Sequence, residues 1–185
     1  MQISVSVRVL VAAVLAAGVS CAPFRLDGDR STVGDSRISI LTPPGWRRAP
    51  VYTEFASVYF RLPPDPATGG TPAYPCLSVE RVDRATDLAS YPYRPDFEDR
   101  IVAPTPALVA GYPAIEFAER LEYGVDSADF TDDGAGTMTT ARHLFVLQTP
   151  DGIFECQLEA SDESALAAYL PLLKAMCASM RSESR

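Results

Sequence analysis

The stretch "GIFECQLEASDESALAAYLPLLKAMCASM", residues 152–180, changes its apolar period part-way along, and that change decides the fold. Phe154, Cys156 and Leu158 recur every second residue, the spacing of one face of a strand. Leu166, Leu170, Leu173, Cys177 and Met180 then recur every third or fourth, the spacing of one stripe of a helix. Between them, Asp162 or Ser161 can cap the helix by accepting a hydrogen bond from its first free N–H groups. Glu163 and Ser164 then fall in its first turn. Pro171 removes one hydrogen bond and predicts a bend near residue 167. A strand followed by an amphipathic helix must bury the helix stripe against a sheet face.

Working back from this stretch, the chain alternates strands and turns. "MTTARHLFVLQ" and "GIFECQLEA" read as strands joined by the hairpin signal "TPDG". "PALVAGYPAIEFAERLEYG" reads as a strand pair or one long bent strand, with Gly111 at the bend. In "CLSVERV", Leu77, Val79 and Arg81 share one face and Cys76, Ser78, Glu80 and Val82 the other. "VYTEFASVYFRLP" is a strand with Phe55, Val58 and Phe60 inward. "SRISILTPPGW" is a strand burying Ile38 and Ile40, ended by Pro43-Pro44-Gly45 so that Trp46 comes down beside the core. "PPDPATGGTPAYP" and the acidic "GVDSADFTDDGAGT" are loops by composition. Residues 83–104, with their prolines, allow only a turn or two of helix near Asp96–Ile101. The 16 Pro and 11 Gly among 185 residues suit short strands better than a helical bundle.

The fold class is therefore α+β: an antiparallel β-sheet meander with a C-terminal amphipathic helix packed on one face. The segments "RISILTPPGWRRA", "ALVAGYPAIEF" and the opening stretch occur in an order that resembles the PsbP-like α/β/α sandwich, over about residues 36–181. The resemblance implies a binding, assembly or accessory protein of a bacterial envelope rather than an enzyme. It implies no cofactor.

The N-terminus places the chain. Arg8 is the only charged side chain before Cys21, and the apolar run from Val9 to Val19 spans eleven residues. At about 1.5 Å per residue that covers only about half of a bilayer's hydrocarbon layer, the length of a signal-peptide core. Ala16, Ala17, Gly18, Val19 and Ser20 then lead into Cys21, which resembles the bacterial lipoprotein signal. Residues 1–20 are expected to be the signal peptide, with Cys21 acylated as the new N-terminus. A plain secretory cut after Gly18 and an uncut anchor are the alternatives. Residues 21–35, polar and without apolar period, read as a flexible tether able to reach about 50 Å when extended. The globular domain then covers 36–181, and 182–185 form a frayed tail. The expected location is the cell envelope, lipid-anchored and facing the periplasm or exterior, and the outer membrane in a Gram-negative cell.

An exported compartment permits disulfides. Cys156 lies on the strand face that the helix stripe bearing Cys177 should cover, so a Cys156–Cys177 bridge is the expected staple. A bridge using Cys76 instead, with Cys156 as the foremost partner, or buried free thiols, are the alternatives. No Cys-x-x-Cys spacing suggests redox catalysis.

Residues for chemistry are sparse. His143, the single histidine, sits in a strand pattern without a nucleophile motif and reads as a structural residue. One histidine does not make a zinc site. Asp129, Thr131, Asp133 and Gly134 match positions 1, 3, 5 and 6 of a calcium loop, but Thr140 stands where the bidentate Glu belongs. That run reads as an acidic turn. Glu98/Asp99 and Glu116/Glu119 read as surface charges. Tyr91, Tyr93 and Phe97 with Arg94 read as a loop tucking its aromatics over a sheet edge, with an exposed binding loop as the alternative. The net charge of −8 argues against a nucleic-acid partner. The expected function is a non-enzymatic envelope lipoprotein binding an unidentified protein partner, with the membrane reached through its lipid. A small-ligand or calcium-responsive exported domain is the alternative.

Overall fold

A computed structural model describes residue 26 and residues 28–49, 57–62, 75–92, 99–125 and 136–183. The strands are β1 (Arg30–Thr32), β2 (Ile38–Leu41), β3 (Arg47–Ala49), β4 (Ser57–Arg61) and β5 (Cys76–Val82). They continue with β6 (Arg100–Val109), β7 (Tyr112–Val125), β8 (Gly136–Thr149) and β9 (Gly152–Ala160). Helix α1 (Glu163–Ala178) and β10 (Arg181–Ser182) close the described chain.

Seven strands form one antiparallel sheet in the order β3-β4-β5-β9-β8-β7-β6. It is two meanders, β3 to β5 and β6 to β9, joined where β5 pairs with β9. The chain must therefore travel from the middle of the sheet at β5 to its edge at β6. Residues 83–92, on that route, cover the sheet face opposite the helix through Ala85, Leu88 and Tyr91. The expected α+β architecture is present. The second helical layer implied by the PsbP-like resemblance is not found among the described residues, where α1 is the one helix.

The alternation read from the sequence positions the core. Val58, Phe60, Leu77, Val79, Phe154, Cys156 and Leu158 all point to the helix side and are fully buried. Facing them, α1 buries Leu166, Leu172, Leu173, Met176 and Cys177. Leu170 of the expected stripe is only half-buried, and the wider stripe includes Leu172 and Met176. Each fully buried side chain of this size contributes about 1.5–3 kcal/mol of transfer free energy. Asp162 is the N-cap, its carboxylate accepting from the Ala165 N–H at 2.8 Å. The helix continues through exposed Pro171 to Ala178. Trp46 is buried and meets Tyr169 of α1 edge-on, with ring centroids 5.9 Å apart.

Four expectations change. Residues 28–35 are not tether: β1 pairs with β2, and Val33 is fully buried. Three residues are too few to show a period, so their polar composition hid the strand. Ser182 and Glu183 are not frayed, because β10 pairs with the other side of β2 and the Glu183 N–H donates to the Arg37 carbonyl. Arg100 and Ile101 begin a strand rather than ending a helical turn. Phe55 lies outside the described residues.

Of the two readings offered for "PALVAGYPAIEF", the strand pair is correct. Ala110 and Gly111 both take positive φ, 53° and 82°, which gives a two-residue type I′ hairpin turn between β6 and β7. Such a turn closes on a hydrogen-bonded pair, here Val109↔Tyr112. Strand alternation then turns the backbone groups of Pro106 and Leu108 away from β7. Pro106 has no N–H, nor has Pro104 in the irregular stretch before it, so this edge offers an added strand few donors.

Candidate functional site

On the helix side, the Cys156–Cys177 disulfide joins β9 to α1 across 21 residues, with Cα atoms 6.0 Å apart. Both cysteines are fully buried. Cys76, on the opposite face of β5, is free. Beside the staple, His143 of β8 is 4% exposed. Its Nε2 lies 2.9 Å from Glu116 Oε1 on β7, and Lys174 Nζ of α1 lies 3.2 Å from the same oxygen. A carboxylate only accepts, so Nε2 carries the proton and donates. Burial lowers the His143 pKa below its ordinary value, with Glu116 opposing the shift and Lys174 reinforcing it. Among the described residues no hydroxyl or thiol is hydrogen-bonded to the ring. The trio holds helix to sheet, and Glu116 is thus half-buried and paired rather than a free surface charge.

The depressed pKa has a sign. The unfolded chain binds the His143 proton more readily than the folded one. Stability is therefore present above the unfolded value, about 6.5, and lost as pH falls below it. Lys174 from α1 and Glu116 from β7 are the charged groups facing the ring. Glu80, raised by burial, acts with the opposite sign but is common to both proteins compared. The fall in urea midpoint between about pH 7.5 and 5 is expected to shrink in His143→Gln. An unchanged fall would contradict the interior placement of the imidazole.

The opposite sheet face carries most of the interior charge. One row crosses six strands in register: Arg61, Cys76, Glu159, Arg142, Glu119 and Arg100. Arg142 Nε donates to Glu119 Oε1 at 2.7 Å, and Arg100 Nη1 lies 3.2 Å from Glu119 Oε2. The Arg100 guanidinium also stacks over the Phe117 ring, 4.8 Å from its centroid. Thr140 donates to Glu159 at 2.8 Å. Burial works against the Arg142 charge, but Glu119 and then Glu155 outweigh it and raise its pKa.

The neighbouring row sets Glu80 directly across from Glu155. Tyr59 donates to Glu80, and Tyr91 donates to Glu155 at 2.7 Å. Burial raises Glu80, and burial with the adjoining carboxylates raises both phenols. Gln157 Nε2 donates to Ser78 at 2.9 Å. The Cys76 thiol is pushed up by burial, with Arg61 pulling against it, which keeps it protonated rather than nucleophilic at neutral pH. In the first row opposite charges meet across strands and favour its register, whereas the like charges Glu80 and Glu155 are met by the Tyr59 and Tyr91 hydroxyls. Glu119, read as a surface carboxylate, is 6% exposed and at the centre of this network.

Tyr91 tucks onto the sheet as expected, its ring packed on the smaller apolar cluster. Cys21, Tyr93, Arg94, Phe97, Glu98 and the acidic run Asp129–Gly134 lie outside the described residues. Among the described residues no group of three His, Cys, Asp or Glu could hold a metal ion. Sequence reasoning missed Arg142, Arg100, Glu80 and Glu155 as interior residues. The alternation Glu155-Gln157-Glu159 opposite Phe154-Cys156-Leu158 marks a polar face, but only long-range register shows that its charges meet one another.

An open depression of about 510 Å³ lies at the start of α1, lined by Arg120, Thr139, Thr140, Asp162, Glu163 and Ser164. Arg120 pairs with Glu163 across it. Among the described residues, the large apolar side chains most exposed to solvent are elsewhere, on β6: Leu108 is 75% exposed and Val102 40%.

No family profile and no curated protein matches the sequence. Among solved structures, the chain is similar to PsbP (CyanoP) of Synechocystis sp. PCC 6803. Identity is 15% and the TM-score 0.47, over 84% of this chain and 92% of that one. It is also similar to a protein of Bacteroides thetaiotaomicron VPI-5482, with 11% identity and a TM-score of 0.49 over 85% of this chain. The chain spans about half the length of that protein, 49%. These are likenesses of backbone arrangement, and they carry no activity or partner over to this chain.

Proposed function

We propose that the protein is a non-enzymatic, lipid-anchored domain of a bacterial envelope that binds a protein partner at the membrane surface. The observation that carries the binding reading is Leu108. It is a large apolar side chain, 75% exposed, two residues before a two-residue hairpin turn on a long edge strand. Exposed apolar groups on a rigid hairpin are the kind of anchor that partner surfaces bury. The prolines beside it favour recognition through side chains over strand addition. The interior carboxylates, arginines and His143 are engaged with one another, which supports a structural role for them. The anchor reading is supported by "LAAGVSCAP", in which small residues precede Cys21.

Photo-crosslinking from position 106, exposed and on the same strand face as Leu108, tests this in intact membranes. A discrete adduct is expected, and Leu108→Asp should abolish it while leaving the melting temperature within a few degrees, as a surface change does. An adduct that persists undiminished in Leu108→Asp would contradict the assignment of this edge.

A further inference from the structure

The chain folds much closer to Cys21 than its composition suggests. Leu26 already packs against the main core. Gly28 lies so close to β2 that a Cβ on it would stand 2.8 Å from the Thr42 carbonyl oxygen. The Thr42 N–H donates to the Asp29 carbonyl at 3.0 Å. Arg30 then ties β1 down, donating to the Ser39 hydroxyl at 2.8 Å and to the Ser179 carbonyl at the end of α1 at 2.6 Å. From Cys21 to Leu26 is five residues, a reach of at most about 18 Å.

A domain of about 150 residues has a radius of gyration of roughly 15 Å and a width of roughly 40 Å. A lead of 18 Å at most is shorter than the body it holds, so the domain cannot turn its far side to the surface bearing the anchor. The point of entry is also fixed within the fold. Thr42 leads through a turn, closed by Trp46 N–H to the Pro43 carbonyl at 3.1 Å, straight into β3. Strand β3 is one edge of the seven-stranded sheet and β6 is the other. Six strand spacings of about 4.8 Å put these edges about 29 Å apart.

We infer that the end of the domain holding Leu26, Gly28 and Thr42 faces the lipid surface, with the β6 edge and Leu108 pointing away from it. This rests on the anchoring of Cys21 proposed above. The short lead then acts as an orienting device: it presents the exposed hairpin to a partner standing off the membrane, not to one embedded beside the anchor.

Energy transfer to the bilayer tests it. The full, natively processed chain carries a donor dye on p-azidophenylalanine at position 29 or 108, both exposed. It is reconstituted into phosphatidylethanolamine–phosphatidylglycerol liposomes whose headgroups bear the acceptor. With about 29 Å between the edges, transfer from position 29 is expected to exceed that from 108 by roughly twofold or more. Inserting about fifteen Gly and Ser residues after Ala22 should erase the contrast, because the lengthened lead lets the domain tumble. Equal transfer from the two positions in protein that floats with the liposomes would overturn the orientation and leave the anchoring intact. Protein that does not float would overturn the anchoring itself and the orientation with it.

Discussion

Glu119→Gln is expected to cost about 3 kcal/mol, because it leaves the largely buried Arg100 and the half-buried Arg142 without their shared counter-charge. Arg142 and Arg100 flank Glu119 in the row that crosses the large sheet, and the Arg100 and Glu119 side chains are 11% and 8% exposed. Gln keeps the volume and one acceptor, so the change removes charge with little change of packing. The loss would appear as a lower urea midpoint with an unchanged slope, and as a melting temperature lower by on the order of 10 °C. Replacing Arg100, Glu119 and Arg142 together with apolar residues of similar volume should recover part of that loss, since the trio then leaves no charge of its own unpaired, although Glu155 and Glu159 lose Arg142. A cost below about 1 kcal/mol for Glu119→Gln would mean the trio behaves as a solvated surface pair.

Removing the disulfide with Cys156→Ala and Cys177→Ala is expected to cost about 3 kcal/mol, from the chain entropy that a loop of 21 residues returns to the unfolded state. Loss of two fully buried sulfur atoms adds to this through poorer packing under α1. Reductant should leave the native bond intact until denaturant opens the core, because neither sulfur reaches solvent. Urea unfolding of the oxidised chain and of the double variant checks both effects. Equal midpoints would contradict the staple, as would rapid reduction of the native protein without denaturant.

The helix and its cap, the inward positions of β4, β5 and β9, and the pairing of Cys156 with Cys177 were legible because each depends on a local period. Phe154-Cys156-Leu158 and Leu173-Cys177 state their own faces. Strand β6 was obscured by Pro104 and Pro106, which break a central strand but are tolerated on an edge, and edge position is not written in the local sequence. Strands β1 and β10 have three and two residues, too short for any period, and exist because β2 offers them two free sides. The charged row was hidden for another reason. Glu119 and Arg142 alternate with apolar residues as solvent-facing groups do, and the difference lies in residues 83–92, which cross that face. The depression at the start of α1 and the short reach from Cys21 to Leu26 are likewise products of tertiary packing.

The central claim is a domain held to the membrane at Cys21 and closed by one internal disulfide. Mass spectrometry of the protein taken from a native membrane fraction, without reduction, tests it most directly. The predicted result is a chain that begins at acylated Cys21 and yields a linked Cys156–Cys177 peptide pair. A soluble chain that begins elsewhere and carries an unmodified Cys21 thiol would contradict it.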